Sequence, residues 1–211
     1  KRHADAIRWC ERGVQDNISV CAVDLGLVYL SGDRGAAEDD AKALELFHMA
    51  ARGGEEYGSY HAGRCYYNGW GTETDYNEAF RCFEQADQGG HPTARWYLAH
   101  CYFWGRGTWP SYEMAVRMME SLIKENQNYP KELMGYCCLY GEGIAADTAR
   151  GKCLLEEAAQ AGSGQAWMFL GDMYDKAVGV PENIPMAVSC YQKDSAKKIP
   201  EASQALGRYK K

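Results

Sequence analysis

The sequence has no long hydrophobic run and no cluster of charge of one sign. No apolar stretch in the 211 residues approaches the roughly 20 needed to cross a bilayer, so we expect no membrane insertion. Lys and Arg are scattered singly and the formal net charge is -6, which is the opposite of the basic footprint that nucleic acid requires. We therefore expect a protein or peptide partner rather than nucleic acid or an anionic membrane.

The motifs of common enzyme classes are also missing. There is no His-Glu-x-x-His, no Gly-x-Ser-x-Gly, no phosphate-binding loop and no Cys-x-x-Cys. His61 and Cys65 lie four apart on one helix face and, with Cys101, have donor types that zinc accepts. Cys65 and Cys101 recur, however, at a phase typical of a buried core. We predict no catalytic residue, no metal and no cofactor.

Cysteine, by contrast, is abundant. Nine cysteines are an odd number, so complete intramolecular pairing is impossible. Cys65, Cys101 and Cys137 are spaced by 36 residues, and Cys82 and Cys190 share a second phase, as buried free thiols would. The pattern favours core cysteines in a reducing, cytoplasmic compartment; export to a periplasm or secretory lumen, with some disulfides, is the alternative.

A small residue recurs about every 36 positions. These anchors are Gly26, Gly63, Ala99, Gly135, Gly171 and Gly207. A 36-residue unit is too short to bury its own apolar face, so such units must stack and share a core. The sequence predicts an all-α fold, a right-handed αα superhelix (solenoid) of about six stacked helix-pair repeats.

Each unit repeats the same two-helix pattern. Apolar residues at helical spacing surround the anchor, a glycine pair such as Gly69 and Gly71 turns the chain, and a polar N-cap begins the second helix. The predicted N-caps are Asp39, Asp75, Ser111, Asp147 and Asn183. The third unit departs from the pattern where it ends at Asn126, and the fifth has Ala177 in place of the first turn glycine.

The full pattern is small-x-x-x-Leu-Gly-x-x-Tyr-x-x-Gly-x-Gly, an Asp, then Ala-x-x-x-aromatic-x-x-Ala-Ala-x-x-Gly. It resembles the Sel-1-like repeat, a relative of the tetratricopeptide repeat, over nearly the whole chain. The resemblance implies a scaffold, since such proteins serve in signalling, protein quality control, envelope assembly and host–pathogen contact. A hydrolase acting on cell-wall or peptide substrates is the weakest alternative, because the inter-helix cysteine pairs of the relatives credited with that activity are missing.

We expect one array across residues 1–211. Its repeats are placed at about 17–54, 55–90, 91–126, 127–162 and 163–198, between partial repeats at 1–16 and 199–211. The oligomeric state is left open. Because the first partial repeat resembles a second helix alone and the last a first helix alone, we expect a fragment of a longer protein.

By analogy with tetratricopeptide arrays, the first helices line a concave surface through positions three before each anchor and one, four and five after it. The predicted partner-binding residues are Tyr60, Arg64, Tyr67, Trp96, His100, Phe103, Trp104, Tyr136 and Tyr140. Aromatic rings suit binding hot spots, and Arg64 and His100 suit a carboxylate or a backbone carbonyl. The predicted function is a non-catalytic adaptor that binds a peptide or protein segment. Packing of these rings between repeats is one alternative, and a structural docking arm of a larger protein is another.

The turn from Trp104 to Trp109, Trp-Gly-Arg-Gly-Thr-Trp, is unusually aromatic. We expect its own rings to hold it against the next helix. The alternative is a second contact site that projects from an edge of the array.

Overall fold

The computed structural model describes residues 2–32, 37–125, 130–195, 204 and 207. Those residues form eleven helices and no strand. The helices are α1 (Arg2–Gln15), α2 (Ser19–Ser31), α3 (Asp40–Arg52), α4 (Glu56–Asn68), α5 (Tyr76–Gln88), α6 (Ala94–Trp104), α7 (Tyr112–Lys124), α8 (Lys131–Tyr140), α9 (Thr148–Gln160), α10 (Gly164–Asp175) and α11 (Ile184–Ser195). The predicted all-α fold of repeated helix pairs is confirmed. Asn126 and most of the predicted partial repeat 199–211 lie outside the described residues.

The chain divides into two compact units. Unit 1 is Lys1–Pro110 and contains α1 to α6; unit 2 is Ser111–Lys211 and contains α7 to α11. Within each unit every helix packs on the next one along the chain. No helix in the described part of the chain is both long enough and apolar enough to cross a membrane.

The second helix of each pair begins at a side-chain cap, as predicted. The carboxylate of Asp39 accepts a hydrogen bond from the amide of Lys42, and that of Asp147 accepts one from Arg150. Asp75, Ser111 and Asn183 do the same for α5, α7 and α11. Each cap satisfies an amide that the first helical turn would otherwise leave without a partner.

The anchor glycines allow close contact with a large side chain of the following helix. The pairs, which we call anchor pairs, are Gly26 with Phe47, Gly63 with Phe83, Gly135 with Leu155 and Gly171 with Tyr191. A Cβ on Gly171 would lie 2.4 Å from the Tyr191 ring, a separation that real carbon atoms do not reach. The glycine is therefore required by packing, as the sequence predicts.

A second set of glycines connects neighbouring repeats. Gly107, with φ of 73°, lies so close to the backbone of α5 that a Cβ would meet the Tyr76 carbonyl oxygen at 1.9 Å. Gly143 packs in the same way on the start of α7, at Tyr112. Only glycine combines this left-handed backbone with such an approach, so this contact fixes how consecutive repeats stack inside each unit.

Ala177 takes the left-handed conformation that glycines adopt in the earlier repeats. Its φ is 55°, whereas the αL residues that end α4, α6 and α8 are Gly69, Gly105 and Gly141. The backbone turn is therefore retained in the fifth repeat without its preferred residue. An L-residue with a Cβ is strained there by about 1–2 kcal/mol.

Eight cysteines, at positions 21, 65, 82, 101, 137, 138, 153 and 190, are free thiols. Cys65, Cys101 and Cys137 are 0% exposed, so the prediction that this phase is core is confirmed. Burial raises the pKa of each of these thiols to about 12. They are protonated at neutral pH and behave as small apolar side chains.

Candidate functional site

Three predicted binding residues share one face of α4. Tyr60, Arg64 and Tyr67 are spaced by four and three residues, which places them in line on a helix, and all three are half-buried. The Tyr60 ring stacks on His91 at 3.9 Å. Tyr97 of α6 contacts Tyr60 at 5.7 Å and Tyr67 at 5.8 Å between ring centroids. The two helices are thus linked through their aromatic side chains.

The corresponding face of α6 carries two tryptophans. Trp96 is half-buried and lies 4.1 Å from the His100 ring. Trp104 is 40% exposed and contacts the Phe103 ring at 4.8 Å. We call the set Tyr60, Arg64, Tyr67, Trp96, His100 and Trp104 the α4–α6 face.

Phe103 does not share this exposure. It is 4% exposed, and Leu139 at the equivalent position of the next repeat is 2% exposed. The fourth position after the anchor therefore points closer to the core than the analogy with tetratricopeptide arrays suggests. Tyr67 occupies the same position and is half-buried. The Phe103 ring packs against the ring of Trp104 but is itself buried, so it presents no surface to a ligand in this conformation.

Two arginines lie over aromatic rings of this face. The Arg64 guanidinium is 5.8 Å from the Tyr60 ring centroid and 5.1 Å from that of Trp70. Arg106 lies 5.1 Å from the Tyr67 ring centroid and donates a hydrogen bond to the Tyr67 hydroxyl. Such stacking orients a guanidinium while leaving its edge available for hydrogen bonds.

Sequence reasoning missed Trp70 and Arg106, because both follow the helices rather than lie within them. The signal that could have found Arg106 is the stretch from Gln88 to Tyr112, which contains no acidic residue. An arginine with no carboxylate near it in the sequence is a candidate to contact a residue that is distant in the sequence.

Two imidazoles near these arginines are held neutral. Burial, followed by the charge of Arg106, lowers the pKa of His100 to about 4. Burial, followed by the charges of Arg64 and His91, lowers the pKa of His61 to about 4. The Nε2 of His100 and the Nδ1 of His61 are buried without a hydrogen-bond partner among the described residues. Both rings are uncharged at neutral pH and retain hydrogen-bonding capacity.

The equivalent helices of unit 2 carry tyrosine and aspartate. Tyr136 lies 4.6 Å from the Tyr140 ring and 4.9 Å from Phe169. Asp172, at the position that Arg64 occupies in its repeat, accepts hydrogen bonds from the Tyr191 hydroxyl at 2.7 Å and the Lys176 ammonium at 2.7 Å. This surface is aromatic like that of unit 1, but its polar side chains are acidic.

The aromatic turn after α6 differs from expectation. Trp109 is 89% exposed, so its ring does not hold the turn against a helix, and that part of the prediction is wrong. Gly105 instead packs near Pro110, where a Cβ would lie 3.0 Å from the proline ring. The turn is positioned by this backbone contact and presents Trp109 to solvent.

The site offers contact area and hydrogen-bond donors rather than a nucleophile. No three His, Cys, Asp or Glu side chains converge as a metal site in the ranges 2–32, 37–125 and 130–195. The high pKa of Cys65 and Cys101 keeps both thiols protonated at neutral pH. Rings, guanidinium groups and neutral imidazoles can supply apolar contact area and hydrogen bonds to a ligand.

Comparison with known proteins identifies the helix pairs. A model described as the Sel1 repeat matches residues 19–55, 57–91, 92–126, 132–163 and 165–193, which together make up most of the chain. Sel1 repeats are generally scaffolds for protein–protein interaction and are typically non-enzymatic. No curated protein matches the sequence significantly.

Solved structures share the fold. The chain matches c5321, a protective antigen of uropathogenic Escherichia coli strains that displays an SLR fold. The match covers 95% of this chain, with 22% identity and a TM-score of 0.67. The chain spans 43% of the length of that protein. A Sel1 repeat protein from Oxalobacter formigenes matches at 23% identity and a TM-score of 0.65, over 93% of this chain and 80% of that one. The five matched repeats and the shared fold show that the chain belongs to the Sel1 repeat family.

Proposed function

We propose that the chain is a non-catalytic scaffold for protein–protein interaction, and that the α4–α6 face holds a peptide segment of the partner. The observation that carries the proposal is the combination of surface rings and unused polar atoms on one face. Trp104 is 40% exposed, while the Nε of Arg64 and the Nε2 of His100 are buried without hydrogen-bond partners among the described residues. Both atoms are covered in the unbound chain, so a backbone carbonyl or side chain of the ligand satisfies them only when Arg64 or His100 turns towards it.

The face is preorganised, which favours binding. Tyr97 contacts both Tyr60 and Tyr67, and it stacks on Phe83 at 4.5 Å, so the rings under the face are fixed by the core. A surface whose side chains are already ordered loses little conformational entropy when a ligand binds. Aromatic side chains also supply large contact area with few rotatable bonds.

The binding set in unit 2 is smaller. Tyr136 and Tyr140 occupy the positions equivalent to His100 and Trp104, and both are half-buried. We include them as partner-binding residues because their rings form a pair at 4.6 Å with hydroxyl groups that suit a peptide. Phe103 is included only as the support of Trp104.

A capture experiment from a lysate of the source organism tests the proposal. The bait proteins are the parent chain, the double variant Trp96→Ala and Trp104→Ala, and the control Trp109→Ala. Helical content and melting temperature are measured for each bait so that loss of folding is recognised. A partner that binds the parent and the control but not the folded double variant supports the proposal.

The exposure of Trp109 favours a second candidate, a docking arm that contacts its partner through the edge turn. A tryptophan ring that is 89% exposed offers a large apolar contact area together with a hydrogen-bond donor. In the same experiment this candidate predicts the reverse pattern. A partner lost with Trp109→Ala and retained by the double variant would replace the α4–α6 face with the turn.

A further inference from the structure

We propose that the segment bound by the α4–α6 face is acidic, an extended stretch in which Asp or Glu side chains lie beside apolar ones. The inference rests on the proposed function and adds the charge of the ligand to it. It comes from the distribution of charge around the face, which is opposite to that of the whole protein.

The helices that form the face lie in segments without acidic residues. The chain has 29 Asp and Glu residues and a net charge of -6, yet residues 57–72 and 88–112 contain none. These two segments include α4 from its second residue, all of α6, and the turn that follows each helix. They carry the arginines Arg64, Arg95 and Arg106. A positive surface in an acidic protein attracts an acidic ligand and steers its approach.

Two of these arginines have no carboxylate partner. Arg95 is held by Asp87, with 3.0 Å between its Nε and a carboxylate oxygen. Within the described chain, Arg64 and Arg106 form no salt bridge and lie instead over the rings of Trp70 and Tyr67. A half-buried guanidinium is expected to pair with an anion, and none of the described carboxylates lies within salt-bridge distance of either arginine.

Arg64 acts electrostatically on the His61 imidazole, and Arg106 acts on that of His100. The carboxylates of Glu38 and Asp40 line a cavity with Trp70, and Glu56 acts on His91. The protein's own acidic groups therefore lie near the α4 part of the face and offset only part of its positive charge. A carboxylate of the ligand would meet two guanidinium groups, each able to donate more than one hydrogen bond.

The apolar part of the ligand is indicated by the tryptophans. Trp96 and Trp104 stand on the same helix as His100, four residues to either side, and both retain accessible ring surface. On the α4 side of the face, Tyr67 contacts both Arg106 and Tyr97 of α6. Cations and rings are thus interleaved, which suits a peptide with alternating acidic and apolar side chains better than a purely charged polymer.

Fluorescence anisotropy with a defined probe tests the inference. The probe is a short fluorescein-labelled peptide that alternates Glu with Leu, and its match has Gln in place of every Glu. We expect the Glu peptide to bind at least about tenfold more tightly than the Gln peptide. The preference should shrink when ionic strength rises from about 0.01 to about 0.15 M, because the Debye length falls from about 30 to about 8 Å.

Variants assign the preference to the two arginines. The double variant Arg64→Gln and Arg106→Gln should bind both peptides equally, while Arg64→Lys, which keeps the charge, should retain most of the preference. Arg81→Gln is the matched control, because it removes one positive charge from an exposed salt bridge with Glu78 elsewhere in unit 1. Melting temperatures confirm that each variant is folded.

Four results would overturn the inference. They are no binding of the Glu peptide, equal binding of the two peptides by the parent, a preference that survives in the double variant, and tighter binding of single-stranded poly(dT) than of the Glu peptide. Equal binding of both peptides that is weakened by Trp104→Ala would leave the proposed function standing. The lysate experiment decides that function separately.

Discussion

Unit 1 and unit 2 are built on the same anchor pairs but fill their cores with different chemistry. The large side chains that are fully buried in unit 1 are Phe47 and Phe83. Among the described residues of unit 2 they are mainly leucine and methionine, together with Pro130 and the aromatic ring of Tyr191. The glycine of each pair fixes the distance between two helices, so the opposing side chain can vary as long as it fills the space. The repeat therefore specifies spacing more strongly than it specifies core composition.

Histidine follows the same division. All five histidines precede residue 101, and unit 2 has none. The position after the anchor is Leu27, Arg64 or His100 in unit 1, and Tyr136, Asp172 or Arg208 in unit 2. The two units should therefore respond differently to core truncation, to acid and to changes of single polar groups.

The largest expected effect is loss of the central ring of unit 1. Phe83 packs on Gly63 and stacks on Tyr97 at 4.5 Å, so Phe83→Ala should lower the free energy of unfolding by about 3–5 kcal/mol. The matched change in unit 2, Leu155→Ala, removes fewer contacts and should cost about 2–4 kcal/mol. Urea unfolding gives both values, and hydrogen exchange assigns each loss to its unit. A larger loss for Leu155→Ala would break the comparison.

The second effect is acid sensitivity confined to unit 1. The pKa of His61 is about 4 in the folded chain, against about 6.5 when unfolded, so the unfolded state binds a proton between these values and the native state does not. Stability should be full above pH 6.5 and fall as the pH drops towards 4, by about 1–3 kcal/mol for this residue. His100 contributes in the same direction.

Hydrogen exchange at pH 7 and pH 5, corrected for intrinsic rates, measures this effect in each unit. Protection in α4 and α5 should decrease at pH 5, while protection in α8 and α9 should not. The variant His61→Phe keeps a ring against Phe47 but cannot titrate, so its stability should depend less on pH. Equal acid sensitivity of both units would contradict the assignment to histidine.

A smaller effect is expected from Tyr191, a buried tyrosine of unit 2. The Tyr191 hydroxyl donates to the Asp172 carboxylate at 2.7 Å, and Tyr191→Phe leaves the ring in place against Gly171. The loss of this charge-assisted hydrogen bond should cost about 1–2 kcal/mol in unit 2 alone. Lys176→Gln removes the exposed partner of the same carboxylate and should cost less than about 0.5 kcal/mol. If urea unfolding gave similar losses of stability for the two variants, the Tyr191 hydroxyl would stabilise unit 2 no more than the exposed Lys176 ammonium does.

The smallest effect is a gain in stability. Ala177 has φ of 55°, so Ala177→Gly should relieve backbone strain and stabilise unit 2 by about 0.5–1 kcal/mol. Ala161, which ends α9 with φ of -71°, is the control, and Ala161→Gly should be neutral or destabilising. Thermal melting distinguishes the two variants. A loss at both positions would mean that the greater entropy of the unfolded chain outweighs the relief of φ strain at Ala177, and a gain at both would show that φ is not the cause.

The sequence was sufficient for the features that repeat. Anchors, N-caps and the cysteine phase are set by local chemistry and recur every 36 residues, so each repeat is an independent test of the same inference. Asp39 and Cys65 are where that reasoning placed them, one as a cap and the other in the core. The helix-pair fold follows from these positions alone.

The surface was less predictable because it depends on contacts between residues far apart in the chain. Phe103 was expected on the surface and is 4% exposed, and Leu139 at the same position of the next repeat is 2% exposed, so apolar side chains at this position pack into the core. Arg106 reaches Tyr67, 39 residues earlier, through a turn whose path no helical periodicity describes. Trp109 is exposed because the turn is fixed by its backbone at Gly105 rather than by its rings.

The anchor pairs have an evolutionary consequence. Both members of a pair, such as Gly63 and Phe83, lie within one 36-residue segment, and so does a turn glycine that packs on the preceding repeat. Duplication of such a segment by recombination would copy the complete set of fitting surfaces, and its deletion would remove them together. Arrays of this kind can change length without a compensating mutation elsewhere, whereas replacing the glycine of a pair requires a smaller side chain opposite it.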